Sequence, residues 1–330
     1  MLDTRHPEVN LALTIVREGA AVALRVQERL AARDLTKSDC SPVTVADFAS
    51  QALAARTLQA HSPDTPLVGE ESAAALRGPD ASEVRRLVAE FAGEVAPGAT
   101  EEAVCDWIDR GLGEPGSRFW TLDPIDGTKG YLRGGQYAVA LALVEEGQVV
   151  LGALACPHLG EGCAPADGGG AVLIARRGEG AWLSLGGASD FTPLRVSACR
   201  EMRRARVMRS AEDSHTNAGA IDALGARLGI AAEPVRMDSQ AKYAVLAAGG
   251  GELLFRLLNP GREDYKECIW DQAAGSIILE EAGGRITDLK GRALDFTQGR
   301  KLAANTGVFA SNGPLHEAGL EAIAQVCKLP

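Results

Sequence analysis

Asp123-Pro124-Ile125-Asp126-Gly127-Thr128-Lys129-Gly130-Tyr131 brings two carboxylates, a hydroxyl and glycines into one short stretch. Pro124 fixes its own φ and stiffens the segment, so that Asp123 and Asp126 converge on one side. Two close carboxylates repel unless a cation lies between them. Mg²⁺ suits such a pair: it is hard, prefers oxygen, and is held by one or two carboxylates while water and substrate phosphate complete its shell. Gly127 lets the backbone approach a ligand, Thr128 brings a hydroxyl beside the metal, and a helix start after them offers N–H groups to a phosphate oxygen. The competing reading of these residues alone is an acidic surface turn, for which Asp, Pro and Gly are also suited.

Two other segments bear on that choice. Leu67-Val68-Gly69-Glu70-Glu71-Ser72 reads as a short strand ending in a carboxylate pair, with ordinary solvated charges as the alternative. Ile269-Trp270-Asp271-Gln272-Ala273-Ala274-Gly275 opens an apolar run that ends before Gly283-Gly284, so Asp271 is expected as the first residue of a helix closed by glycine. There it either caps the helix or reaches a metal in an adjoining cleft.

The ordered set Gly69-Glu70-Glu71, Asp123-Pro124-Ile125-Asp126-Gly127-Thr128 and Trp270-Asp271-Gln272-Ala273-Ala274-Gly275 resembles the lithium-sensitive, magnesium-dependent phosphatases of the inositol monophosphatase superfamily. Within it, Ser41 to Asp47, Lys129 to Gly134 and Asp238 to Tyr243 resemble segments of the 3'(2'),5'-bisphosphate nucleotidases, and the likeness runs from about residue 8 to 313. It implies a layered α-β-α-β-α sugar-phosphatase-like fold of mixed α+β and α/β character. It also implies that Glu70, Asp123 and the Ile125 carbonyl hold one Mg²⁺, that Asp123, Asp126 and Asp271 hold a second, and that a looser third near Glu70 is left open. Asp47 and Thr128 would orient and deprotonate the attacking water. Gly127, Thr128 and Asp271 would also face the substrate. Ser239 and Lys242 would meet a second phosphate or the ribose, and His215 would lie against the base. Lys266 stands where these enzymes carry Arg, keeping charge but not a planar contact, and Gln272 replaces a frequent His. The activity implied is release of the 3'-phosphate of 3'-phosphoadenosine 5'-phosphate, with inhibition by Li⁺ and a place in sulfur metabolism. Alternatives are an inositol monophosphatase or sugar bisphosphatase, and a non-catalytic sensor of phosphorylated nucleotides.

Composition fits a soluble enzyme, and a small anionic substrate can still bind where metals and a few lysines reverse the local field. The chain has 330 residues, is 46% hydrophobic and carries a net charge of −10, which argues against a nucleic-acid polymer as partner. No apolar stretch approaches a membrane span and the N-terminus lacks a signal-peptide core, so the expected location is cytoplasmic, as a monomer or homodimer. The 7 cysteines are scattered without a Cys-x-x-Cys pair, as expected of reduced thiols, and Cys156-His158-Cys163 reads as a loop rather than a metal site.

Apolar periodicity predicts a helix over 8–33 and another over 47–59 after the Ser41-Pro42 entry. Residues 73–117 read as a mobile insertion or flap containing a helix over 82–94. Tyr137 to Val144 and Val149 to Ala155 predict a hairpin about Glu145-Glu146-Gly147-Gln148, followed by a strand pair at 171–175 and 180–183. Beyond Pro193, strands at Arg195-Val196, Arg206 to Met208 and Val235 to Met237 are expected, with a helix over 218–228 and a second, amphipathic one from Asp238. The expected units are 1–191, an α+β part with an antiparallel sheet and the metal motifs, and 192–330, a smaller α/β part with the specificity residues and last metal ligand.

Overall fold

A computed structural model describes residues 2–31, 41–164, 170–211, 217–262, 264–327 and 329. The chain begins with two long packed helices, α1 (Pro7–Ala31) and α2 (Pro42–His61). Ser41 caps α2 by accepting from Thr44 N–H at 3.3 Å, and Pro42 occupies the first turn, where its missing N–H costs nothing.

A seven-stranded sheet follows in sequential order: β1 (Leu67–Gly69), β2 (Arg118–Asp126), β3 (Ala138–Glu145), β4 (Gln148–Cys156), β5 (Ala171–Arg176), β6 (Gly180–Leu185) and β7 (Thr192–Pro193). β1 runs parallel to β2, and every later pairing is antiparallel. The expected hairpin joins β3 and β4 through Glu146 and Gly147, whose φ values of 46° and 74° match a two-residue turn with both residues left-handed. Between β1 and β2 lie α3 (Ser82–Gly93) and α4 (Glu101–Asp109). The expectation of a flap over 73–117 is corrected here: Val84, Leu87, Phe91, Val104 and Ile108 are buried in one cluster with α2 residues, so this segment is core.

Both faces of the first sheet are covered, which explains the near-continuous apolar runs of its strands. Along β3, Val139, Leu141 and Leu143 face the side covered by α1, while Ala138, Ala140 and Ala142 face α8 (Ala273–Glu281). The small side chains let α8 lie close. A Cβ on Gly152 of β4 would come within 2.9 Å of the Ala274 carbonyl oxygen.

The second sheet, in order β11-β12-β10-β8-β9, comprises β8 (Val207–Arg209), β9 (Val235–Arg236), β10 (Leu253–Arg256), β11 (Arg285–Thr287) and β12 (Val308–Ser311). Its inner face shares a core with α7 (Ala241–Ala247), α8 and the first sheet; its outer face packs on α6 (Ala218–Leu228) and α9 (His316–Val326). The molecule is thus layered α-β-α-β-α. α7, expected as amphipathic, is buried along its whole length because it lies between two sheets. Arg195-Val196 forms no strand; the nearby strand is β7, two residues earlier. Arg206, expected to open a strand, stands just before β8 and is paired with the buried Glu252 at 2.9 Å. We propose that the two folding units meet near residue 191, since the first sheet ends at Thr192–Pro193 and the second begins at Val207–Arg209. Among the described residues no helix is long and apolar enough to cross a membrane.

One buried histidine gives this core a pH dependence. His316 Nδ1 pairs with Ser311 Oγ at 2.9 Å and Nε2 with Thr287 Oγ1 at 3.0 Å, and the ring stacks on Phe309 at 4.6 Å. Burial, then Arg285, push its pKa down from 6.5 to about 4, so folding favours the neutral ring. Its stabilisation is complete above pH 6.5 and is lost as pH falls towards 4, by at most about 3 kcal/mol. The urea midpoint is expected to fall between pH 7 and 5, with a shallower slope in His316→Gln; equal slopes in the two proteins would contradict this assignment.

Candidate active site

The site grows from an irregularity in β2. Asp123 pairs with Ala140, but Asp126 pairs with Ala138, so β2 carries one residue more than β3 across this interval. Pro124 and Ile125 form the bulge, where a residue without an N–H disturbs no ladder. Ile125 is buried among α2, α3 and α4 residues, and its carbonyl lies between the two acids in the chain. Gly127 then turns the backbone with φ +92° as the N-cap of α5 (Thr128–Leu132), which packs against α2, the helix that carries Asp47, and Thr128 opens α5 as an exposed residue. At the end of β1, Glu70 N–H donates to the Leu122 carbonyl at 3.2 Å, holding the Gly-Glu-Glu segment beside Asp123.

Asp47, Glu70, Asp123, Asp126 and Asp271 form one electrostatic cluster. Asp123 is only 2% exposed, and burial, then Glu70, Asp126, Asp271 and Asp47, hold its carboxyl well above the usual range. Burial also raises Asp47 well above its ordinary value, reinforced by Glu71 and Glu70. Asp271 is raised by burial against the opposing pull of Arg256, with Asp126, Glu267 and Glu70 adding to the rise. Asp126 is raised by burial, although Arg256, Lys242 and the Gln240 N–H, at 2.6 Å from its Oδ2, favour the ionised form. Glu70, whose side chain is exposed, is raised by desolvation against a hydrogen bond with Asp123 that favours the ionised form, and burial followed by Glu70 lifts Glu71 to about 7.

Among the described residues no three His, Cys, Asp or Glu side chains already stand as a closed metal cage. The donor set nevertheless fits a hard cation. Asp123 Oδ1 is buried without a hydrogen-bond partner, and an oxygen-only group of mutually repelling carboxylates is what Mg²⁺ requires. Cys156 and Cys163 are buried in apolar core, where burial pushes the Cys163 thiol to about 12; the loop reading of that segment needs no metal.

A cavity of about 480 Å³ adjoins the cluster, lined in part by Asp126, Gly127 and Thr128. Ser239 and Lys242 line it too. Ser239 has φ 65°, a left-handed conformation rare for serine, and its Oγ accepts from Ala241 N–H at 3.1 Å. Lys242 is 6% exposed, stands 3.5 Å from Ser210 Oγ, and is lowered to about 8 by burial and then Arg256, against Asp126. Asp238 is held by an ion pair with Arg133 and by Ala211 N–H at 3.2 Å.

Several expectations need correction. Asp271 is not the helix cap: α8 begins at Ala273 with Gln272 at the cap, leaving Asp271 free of that duty, 3.9 Å from Arg256. Lys266 does not line the cavity; its Nζ donates to the Asn305 carbonyl at 2.6 Å. The planar cations that line the cavity are Arg209, paired with Asp222 at 2.6 Å, Arg256, on β10 and 2.5 Å from Glu267, and Arg262, stacked over Tyr265 at 5.0 Å. Gln272 meets Tyr243 Oη at 2.5 Å and Glu267 at 3.0 Å, inside the core. His215 lies outside the described residues.

The sequence matches the model of the inositol monophosphatase family over residues 6–327. The chain belongs to the inositol monophosphatase family. A 3'(2'),5'-bisphosphate nucleotidase of Emericella nidulans is 38% identical, with 97% of this chain and 98% of that protein covered. One of Oryza sativa is 40% identical over 89% of this chain and 86% of its own. Among solved structures, the Thermotoga maritima IMPase aligns with a TM-score of 0.63 at 21% identity over 97% of each chain. A Bacteroides thetaiotaomicron member of the family aligns at 0.60 and 19% over 91% and 95%. These structural likenesses show the same fold over nearly the whole chain.

Gly127 is a close-packed point of the site. A Cβ there would sit 2.8 Å from Ser239 Cβ and 3.2 Å from the Gln136 carbonyl oxygen. Gly127→Ala is expected to cost about 2–4 kcal/mol from the left-handed backbone and the clash together. A urea titration giving parental stability would show that the α5 and α7 starts are not in contact as described.

Proposed function

We propose that this chain is a Mg²⁺-dependent phosphomonoesterase that hydrolyses the 3'-phosphate of 3'-phosphoadenosine 5'-phosphate, and of its sulfated form, to leave the 5'-phosphorylated nucleoside. The observation that carries the reading is the junction of carboxylates and cavity. Asp126 belongs to the acidic cluster, and with Gly127 and Thr128 it also lines a pocket containing Lys242. Identity of 33–40% to curated relatives named as bisphosphate nucleotidases supports the choice of substrate.

In this reading Glu70, Asp123 and the Ile125 carbonyl hold one Mg²⁺, and Asp123, Asp126 and Asp271 hold another. When bound, the ions supply Lewis-acid polarisation of the phosphate and stabilise charge on the departing oxygen. The protein's own groups do the rest. Asp47, a carboxyl whose proton affinity is raised by burial and by Glu70 and Glu71, orients the attacking water with Thr128 and accepts its proton. The water oxygen attacks phosphorus in line as the ester P–O bond breaks, without a phosphoenzyme. N–H groups at the start of α5, freed for an anion by Gly127, support the phosphate oxygens. Lys242 and Ser239 hold the second phosphate, and Arg256, Arg262 and Tyr265 form the wall nearest the base and ribose. Li⁺ inhibition, a role in sulfur metabolism and a cytoplasmic setting belong to the same proposal.

Phosphate release from 3'-phosphoadenosine 5'-phosphate and from inositol 1-phosphate, compared as kcat/KM with Mg²⁺, tests the substrate. A clear preference for the nucleotide is expected; preference for the inositol ester would retain the metal chemistry and overturn the nucleotide assignment. Asp123→Asn is expected to lower kcat by at least about a thousandfold while leaving a folded protein, since it removes charge that the fold must otherwise restrain. Near-parental turnover in that variant would remove Asp123 from the proposed metal site.

A further inference from the structure

Arg300 lies on the loop between β11 and β12, outside all the acidic motifs, yet it touches two of the segments that carry them. Its Nη2 donates to the Gly69 carbonyl, and its Nη1 lies 3.4 Å from the carbonyls of both Gly111 and Gly113. Gly69 immediately precedes Glu70. The guanidinium also sits over the Trp270 ring, 5.0 Å from its centroid, and the Arg300 carbonyl accepts from Ile269 N–H at 3.2 Å. Trp270 immediately precedes Asp271. A single side chain therefore fastens the backbone of the Glu70 segment, from the first sheet, to the segment that delivers Asp271 from the second half of the chain.

The Glu70 segment is also gripped by Gln51, one turn after Asp47 on α2. Glu71 N–H donates to Gln51 Oε1 at 3.0 Å, while Gln51 Nε2 donates to the carbonyls of Glu71 at 2.6 Å and Ile108 at 3.0 Å. Gln51 is buried, and a Cβ on Gly69 would fall within 2.5 Å of its Oε1. Glu70 itself is exposed, so its carboxylate is positioned by the peptides on either side rather than by burial of its own side chain. The Gln51 contacts join Glu70 to the helix of Asp47; the Arg300 contacts join it to Asp271. Arg300 suits this task because its flat fork can donate to several carbonyls while stacking on indole, which an ammonium cannot do.

We propose that Arg300 is a positioning residue that ties the Glu70 segment to the Trp270–Asp271 segment, so that acids from the two halves of the chain close together on the two divalent cations. The inference rests on the metal reading proposed above and adds to it the residue that couples the two acidic arms.

The test uses the full chain with Arg300→Lys and Arg300→Gln. Two measurements independent of turnover read metal binding: the rise in thermal midpoint across a Mg²⁺ titration, and Mn²⁺ binding by electron paramagnetic resonance. Both variants are expected to need roughly ten- to hundredfold more metal for half effect. Their KM for the nucleotide at saturating Mg²⁺ should stay close to the parental value. Arg300→Lys keeps the charge and the aliphatic stem, and its thermal midpoint without metal monitors folding. A lowered midpoint with a parental metal requirement would make Arg300 a structural brace only and overturn the proposal. A lysine variant with parental metal affinity would do the same, since one ammonium does not span the three carbonyls. A parental protein that ignores Mg²⁺ and Mn²⁺ would overturn the metal reading itself, an outcome read before any variant is compared.

Discussion

Carboxylates brought together with little water repel one another and lose hydration at the same time, and the architecture of this chain is organised around holding such a group, with Asp47 and Asp123 buried, Asp126 and Asp271 partly so, and Glu70 exposed beside them. Asp47, Glu70, Asp123, Asp126 and Asp271 come from a helix, two strand ends and the segment before a helix, all of them anchored in packed cores. Their raised proton affinities record the strain of assembly, with burial the largest cause at each. No single element could impose this. The bulge in β2 sets Asp123 and Asp126 relative to each other, the parallel pairing of β1 sets Glu70 against β2, and the α7–α8 layer brings up Asp271. A cation of matching hardness turns the same repulsion into cohesion.

The cations of the site are arranged differently. Lys242 and Arg256 are drawn into the protein next to acids, so each is partly neutralised by a neighbour, and Lys242 has its proton loosened to about 8. The cavity wall consequently mixes acids, Asp126, Asp238 and Glu267, with cations, Lys242, Arg256 and Arg262, in one enclosure. Both kinds of group are needed by a substrate that carries one phosphate to be attacked and another to be gripped.

Much of this was legible in the chain because local rules govern it. The β3–β4 hairpin follows from alternating apolar residues around Glu146-Gly147, α6 occupies the expected 218–228, and the bulge residues are those whose proline stood out first. The acidic motifs could be picked out because their chemistry is concentrated in a few adjacent positions. What local patterns do not carry is the long-range use of a side chain. Residues 73–117 look polar and variable in spacing, yet two amphipathic helices there close the α2 face. Lys266 has the charge expected of a pocket residue, but a carbonyl from Asn305 claims it, and Arg256 and Arg262 take the wall instead. Gln51 and Arg300 bind backbone carbonyls far away in sequence, so no motif announces them.

The sequential order of β1 to β7 has a further consequence for how the molecule comes into being. All seven strands are complete by Pro193, so their pairing needs no later part of the chain. Their second face, with Ala140, Ala142, Leu154 and Leu173, is covered by α7 and α8, which are made some 50 to 90 residues later. On a ribosome this sheet is therefore ready to form while one side remains bare, and a chain cut short before Asp271 would combine an adhesive surface with an unfinished cleft. Emergence of α8 closes both deficits together.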